Sequence, residues 1–210
     1  KMCAEYEQAD YIMTLSTFAR DSFIKHGVPP TKMLMIPCGA DVEYFAQAPA
    51  QPSTTFSVIF VGLVSLRKGI QYLLEAWALA QLPPDSTELV IVGAQQQDFS
   101  AVAARLPSRP NIIFTGPVGR ERLKALYSQA SLFILPSVED GFGMVIGEAM
   151  ASGLPVVCST HSAAPDIIEH GIHGFVVPAG NSASLAEKIS WCYDHQPEAA
   201  AMGRAGRERI

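Results

Sequence analysis

Short, unbroken apolar runs alternate along this chain with longer stretches in which apolar residues recur every three or four positions. The runs are Val58-Ile59-Phe60-Val61, Leu89-Val90-Ile91-Val92, Ile112-Ile113-Phe114, Leu132-Phe133-Ile134-Leu135, Pro155-Val156-Val157-Cys158 and Phe175-Val176-Val177. A strand with one face in water alternates apolar with polar residues, and a strand covered on both faces does not. These runs therefore predict the interior of a parallel sheet. Between them, Ile70, Leu73, Leu74, Trp77 and Ala78 are spaced as one face of a helix, as are Leu123, Leu126, Tyr127 and Ala130. The repeating strand-helix unit predicts an α/β fold with a doubly wound, Rossmann-like parallel sheet.

Residues 1–45 read as a smaller unit: a strand over Tyr11 to Leu15, a helix capped by Ser16 and ending near Gly27, and a second strand over Met33 to Ile36. The Ala-, Gln- and Pro-rich stretch from Ala46 to Ser53 has linker composition. The expected division is thus 1–45, a linker over 46–55, and a main domain over 56–210. No internal repeat is visible. The last residues, Met202 to Ile210, have helical character without a Gly or Pro exit signal, which predicts a segment cut from a longer protein.

Composition narrows the classes of function. With 210 residues, 49% of them hydrophobic, the chain can bury a full core. A net charge of -5 argues against nucleic acid as a partner, since a basic face is needed to meet phosphate backbones. The four cysteines, Cys3, Cys38, Cys158 and Cys192, have neither zinc-cluster nor disulfide-framework spacing, which predicts a reducing cytoplasm. No apolar run approaches the roughly 18 residues needed to span a bilayer, and the start lacks a signal-peptide pattern. The expectation is a cytoplasmic protein, with a peripheral position at the inner membrane as the variant for the full-length parent.

In open α/β sheets ligands collect outside the carboxyl ends of the strands. The first main-domain strand runs into Gly62-Leu63-Val64-Ser65-Leu66-Arg67-Lys68-Gly69, which places two cations where an anion would sit. This segment matches neither G-x-G-x-x-G nor the phosphate loop ending in Gly-Lys-Ser/Thr. Arg67 and Lys68 are either phosphate binders or an ordinary solvated pair, and their unfavourable place at a helix start favours the first. The fourth strand runs into Pro136-Ser137-Val138-Glu139-Asp140-Gly141-Phe142-Gly143-Met144-Val145-Ile146-Gly147-Glu148. Its glycines permit close approach of backbone to a ligand, and the helix opening near Gly143 offers N–H groups to a negative one. Glu148, in the second turn among Val145, Ala149 and Met150, needs a hydrogen-bonding partner, and a ribose diol fits a carboxylate. The alternative is that Asp140 caps the helix and Glu148 pairs with a neighbouring Arg or Lys.

The stretch Asp140-Gly141-Phe142-Gly143-Met144-Val145-Ile146-Gly147-Glu148-Ala149-Met150-Ala151-Ser152-Gly153 resembles the E-G-F-G-x-x-x-x-E-A-M-A-x-G segment of retaining glycosyltransferase family 4, the glycosyl transferases group 1. Members have two Rossmann-like domains in the GT-B arrangement, and the resemblance covers residues 9–210. It implies that this chain is the C-terminal, donor-binding half, with a small remnant of the acceptor domain at its start and most of that domain missing. By resemblance Asp140, in place of the family's first glutamate, contacts the transferred sugar, and Glu148 contacts the nucleotide ribose. Lys68 matches the family's diphosphate-binding lysine, whereas Leu63 stands where an arginine is usual. Arg67 is a candidate to supply the missing charge from another position. Thr115-Gly116-Pro117-Val118 resembles the segment whose backbone meets the nucleobase. The implied donor site comprises Gly62, Arg67, Lys68, Val118, Asp140, Gly141, Phe142, Gly143, Met144, Val145 and Glu148, with Asp140 and Lys68 catalytic.

The resulting expectation is transfer of a hexosyl group from a nucleotide-diphosphate sugar with retention, in polysaccharide biosynthesis, to an acceptor that is a glycan or a lipid-linked molecule. Neither cofactor nor metal is expected. His170-x-x-His173 is interrupted by Gly171 and Gly174, and no carboxylate or cysteine completes a ligand set with them or with His161. Ser159-Thr160-His161-Ser162 reads either as a contact to the donor sugar or as a polar loop at a strand end. Ser137 lacks the Gly-x-Ser-x-Gly elbow of a hydrolase. The rivals are a sugar-nucleotide epimerase or hydrolase of the same architecture, and a non-catalytic nucleotide-sugar-binding module. The segment alone is expected to bind weakly and turn over little, because it lacks the half that positions the acceptor.

Overall fold

The computed structural model describes residues 4–46, 54–107 and 109–210. Six parallel strands form the main sheet: β3 (Phe56–Val61), β4 (Thr87–Val92), β5 (Ile112–Gly116), β6 (Leu132–Leu135), β7 (Val156–Ser159) and β8 (Gly174–Val177). Their order, β5-β4-β3-β6-β7-β8, reverses direction between β3 and β6 and is that of a doubly wound Rossmann sheet. Continuous apolarity reflects position in this order. Every residue of β3, β6 and β7 is buried. At the edge, β5 leaves Ile113 and Phe114 exposed. The strand expected from Pro155 starts one residue later, and the Pro155 carbonyl accepts the Phe133 N–H at 3.0 Å.

The helices that cover this sheet are α4 (Ile70–Ala80), α6 (Arg120–Gln129), α7 (Met144–Ala151), α9 (Ser182–Asp194) and α10 (Gln196–Arg209), with the one-turn helices α5 (Gln97–Ser100) and α8 (Ala164–Ile167) in the connections. α4 packs on α9, and α7 on α10. Trp77 of α4 and Tyr127 of α6 are among the largest fully buried side chains. Among the described residues no helix is long and apolar enough to cross a membrane.

The N-terminal residues form α1 (Ala4–Gln8), β1 (Ile12–Thr14), α2 (Thr17–Lys25), β2 (Met33–Met35) and α3 (Val42–Ala46), with β1 and β2 paired in parallel. Ser16 caps α2 as expected, its hydroxyl accepting the Ala19 N–H at 3.1 Å. α3 was not foreseen, because a single turn is too short to show a 3.6-residue period. It packs on α7 and puts Phe45 into the main core, edge-on to Tyr127 at 5.8 Å between ring centroids. Most of the expected linker, residues 47–53, lies outside the described residues, as does Cys3.

Candidate functional site

The carboxyl ends of β3 and β6 lie side by side at the point where the strand order reverses, and the two loops leaving them interlock. The β3 loop ends at Gly69, which has a φ of 75° and precedes α4. A Cβ there would lie 2.0 Å from the carbonyl oxygen of Pro136, at the head of the β6 loop. Only a residue without a side chain allows this approach. The Arg67 carbonyl accepts the N–H groups of Val138 at 2.9 Å and Glu139 at 3.2 Å, so the loops are also joined by backbone bonds.

This junction brings Lys68 to Asp140. The Lys68 ammonium forms an ion pair with Oδ2 of Asp140, and their side chains are only 15% and 10% exposed. The second oxygen, Oδ1, accepts the Phe142 N–H at 3.4 Å. The Asp140 N–H in turn donates to the His161 carbonyl at 3.0 Å. Asp140 does not cap α7, which corrects the alternative reading. α7 is entered through Gly143, with φ 81° and ψ 61°, and no side chain caps its first turn. A Cβ on Gly143 would lie 2.9 Å from Leu135 and 3.4 Å from Asp140 Oδ2, so this glycine keeps space beside the carboxylate.

Glu148 lies in the second turn of α7, half-buried, and its partner is the hydroxyl of Tyr127, which donates to Oε2 at 3.1 Å. It has no Arg or Lys ion-pair partner among the described residues, which corrects the second alternative; the nearby Arg120 is paired with Asp41 instead. Burial raises the Glu148 carboxyl above its usual range, against the Tyr127 hydrogen bond and the Arg120 charge, which pull it down. Burial first, and then the Glu148 charge, raise the Tyr127 phenol well above its usual value. Tyr127 was legible only as a core residue. Its hydroxyl joins a glutamate 21 residues away, and nothing in local spacing signals that bond.

Arg67 is exposed at the rim, where its guanidinium donates to the Glu139 carbonyl at 3.2 Å. Leu63 is 44% exposed and Met144 56%. Val118 and Val145 are partly buried against the core, and Gly62 directly follows β3. His161 sits in the β7–α8 loop and donates from Nδ1 to the Val138 carbonyl at 2.8 Å. His170 and His173 accept backbone N–H groups on Nδ1, His170 from Val176 at 3.1 Å and His173 from Glu169 at 3.2 Å. Among the described residues no three His, Cys, Asp or Glu side chains cluster as a metal site.

Ser16 also contacts the site, although it comes from the N-terminal unit. Its buried hydroxyl donates to the Gly141 carbonyl at 2.6 Å.

Residues 41–209 match the family model described as glycosyl transferases group 1. An uncharacterised glycosyltransferase of Methanocaldococcus jannaschii is 37% identical over 131 residues, covering 61% of this chain and 33% of that protein. A GDP-mannose-dependent alpha-(1-6)-phosphatidylinositol monomannoside mannosyltransferase of Mycobacterium tuberculosis is 26% identical over 219 residues, covering 96% of this chain and 57% of that protein. Among solved structures, Anabaena HepE in complex with UDP and glucose superposes with a TM-score of 0.81 at 25% identity, covering 95% of this chain and 57% of that one. The fold is that of GT-B glycosyltransferase structures, and the chain spans between a third and just over half the length of these proteins.

Proposed function

The chain belongs to the glycosyl transferases group 1 family, and on that footing we propose that it is the donor-binding half of a retaining glycosyltransferase, holding a nucleotide-diphosphate sugar at the β3–β6 switch point. The observation that carries this reading is the Lys68–Asp140 ion pair at that point. It sets a fixed cation beside a carboxylate whose backbone is tied down, and those are the two groups that a leaving diphosphate and a transferred sugar need within reach of each other. In this reading Lys68, with Arg67 from the rim and the uncapped first turn of α7, neutralises charge that grows on the diphosphate as the glycosidic bond breaks. Fixed groups of this kind are worth more than water because they do not reorganise during the reaction. Asp140 accepts a hydrogen bond from a hydroxyl of the transferred sugar.

Glu148 keeps Oε1 for a ribose hydroxyl while Tyr127 holds Oε2. Thr115 to Val118 meet the nucleobase through backbone. The charge stabilisation is assigned to protein groups and requires no metal or cofactor. Residues 1–45 are the end of the acceptor domain and the crossing, 46–55 the linker, and 56–210 the donor domain. The acceptor, a glycan or a lipid-linked molecule, is bound by the remainder of the acceptor domain, so this segment alone binds donor but turns over little.

Thermal unfolding with UDP, GDP, ADP and their sugars tests the reading. One nucleotide at about 100 times its Kd adds about 2.7 kcal/mol, or roughly 5–10 °C for a domain of this size. Lys68→Ala and Glu148→Ala are each expected to remove most of that shift. No shift with any nucleotide in the unaltered chain refutes the proposal.

A further inference from the structure

The backbone beside Asp140 is held by several hydrogen bonds, and one of them leads directly into the N-terminal unit. Ser16 is fully buried at the start of α2 and donates to the Gly141 carbonyl at 2.6 Å. That carbonyl belongs to the same planar peptide as the Phe142 N–H, which reaches Asp140 Oδ1 at 3.4 Å. In a trans peptide the C=O and N–H point in opposite directions, so fixing one aims the other. The remaining links are consistent with a clamp. Phe18 stacks on the His161 ring at 5.0 Å between centroids and 22° between planes. His161 then engages the Asp140 loop from both ends, its Nδ1–H on the Val138 carbonyl at 2.8 Å and its own carbonyl on the Asp140 N–H at 3.0 Å. Thr17 anchors the clamp, its backbone N–H donating to Asp166 of α8 at 2.8 Å and its hydroxyl to the other oxygen of the same carboxylate.

We infer that Ser16 is a positioning residue for Asp140, acting through the Gly141–Phe142 peptide, so that the N-terminal unit sets how the donor sugar is held. This rests on the assignment of Asp140 to the transferred sugar. The glycine next to Asp140 makes the constraint necessary: Gly141 has no Cβ to limit its backbone, and without an external hydrogen bond the peptide plane is free to turn. A shift of α2 relative to the sheet is therefore felt at Asp140, through the bond from Ser16 to the Gly141 carbonyl.

Calorimetric titration of the chain with UDP, UDP-glucose, GDP and GDP-mannose tests this. Ser16→Ala is expected to weaken the sugar nucleotide about fivefold, the worth of one hydrogen bond, and to leave the matching nucleoside diphosphate within about twofold. Ser16→Thr, which keeps both the hydroxyl and the cap, restores the difference. In an Asp140→Asn background Ser16→Ala adds nothing, because effects routed through one group do not add. Should Ser16→Ala fail to fold, His161→Phe keeps the ring stack, loses the bond to Val138, and is expected to give the same selective loss. Equal weakening of sugar nucleotide and nucleoside diphosphate, no weakening of either, or an undiminished loss in the Asp140→Asn background overturns the inference alone. Failure of the unaltered chain to bind any of the four overturns the donor-site assignment as well.

Discussion

Replacing Tyr127 with Phe removes one hydroxyl and keeps the ring that packs edge-on against Phe45 at 5.8 Å and near Phe133 at 6.2 Å. The loss falls on the hydrogen bond to Glu148 Oε2, at 3.1 Å. A bond to a charged acceptor contributes about 1.5–3 kcal/mol when fully desolvated. Glu148 is half-buried, so water replaces part of it and about 1 kcal/mol is expected. For a domain of this size that lowers Tm by roughly 2–4 °C. The pH dependence is the sharper test. The Tyr127 bond lowers the Glu148 carboxyl, which burial has raised above its usual range. Removing that bond raises the folded-state value further, while the unfolded state is unchanged. A carboxyl raised by folding costs stability as pH climbs from its unfolded value through its folded one, and the variant pays more of that cost. The deficit should therefore be small near pH 4 and full at pH 7. Differential scanning calorimetry at the two pH values measures it. A deficit of equal size at both, or none at pH 7, would refute the hydrogen bond as the link between these residues.

Gly69→Ala places a methyl about 2.0 Å from the Pro136 carbonyl and strains a φ of 75°. It should lower Tm and weaken nucleotide binding at least tenfold by separating Lys68 from Asp140, as followed by titration calorimetry. Burial raises the Cys192 thiol to about 12 and the fully buried Cys158 thiol also well above its usual value. Both should resist a thiol reagent at pH 8 in the native protein and react only after unfolding, as counted by mass spectrometry. Early labelling of either cysteine would contradict the packing.

The six strands were legible because interior parallel strands must be apolar on both faces, and β3, β6 and β7 are. The loops that follow β3 and β6 stood out by their glycines and charges, and the structure joins them to each other at the head of the sheet. What could not be read was how residues combine across distance. Ser16 satisfies every local rule for a helix cap, and its second bond, to Gly141, spans 125 positions of sequence. Tyr127 satisfies the helical period, and its hydroxyl partner lies on another helix. Arg67 and Lys68 are adjacent in sequence yet diverge in direction: the Arg67 backbone is bonded to the β6 loop with its side chain exposed, while Lys68 is paired with Asp140. α3 and α8 were invisible to periodicity because each has about one turn.

The seating of Gly69 on the Pro136 carbonyl also bears on how such a site can diversify. A side chain can usually be traded for a slightly larger or smaller one, and recognition drifts by small steps. Here every other amino acid brings the same offending carbon, so there is no mild exchange and no gradual route. The position is all-or-nothing, and with it the spacing between cation and carboxylate. Novelty in what the protein recognises has to be written around this fixed point, in exposed side chains at the rim such as Leu63 and Met144.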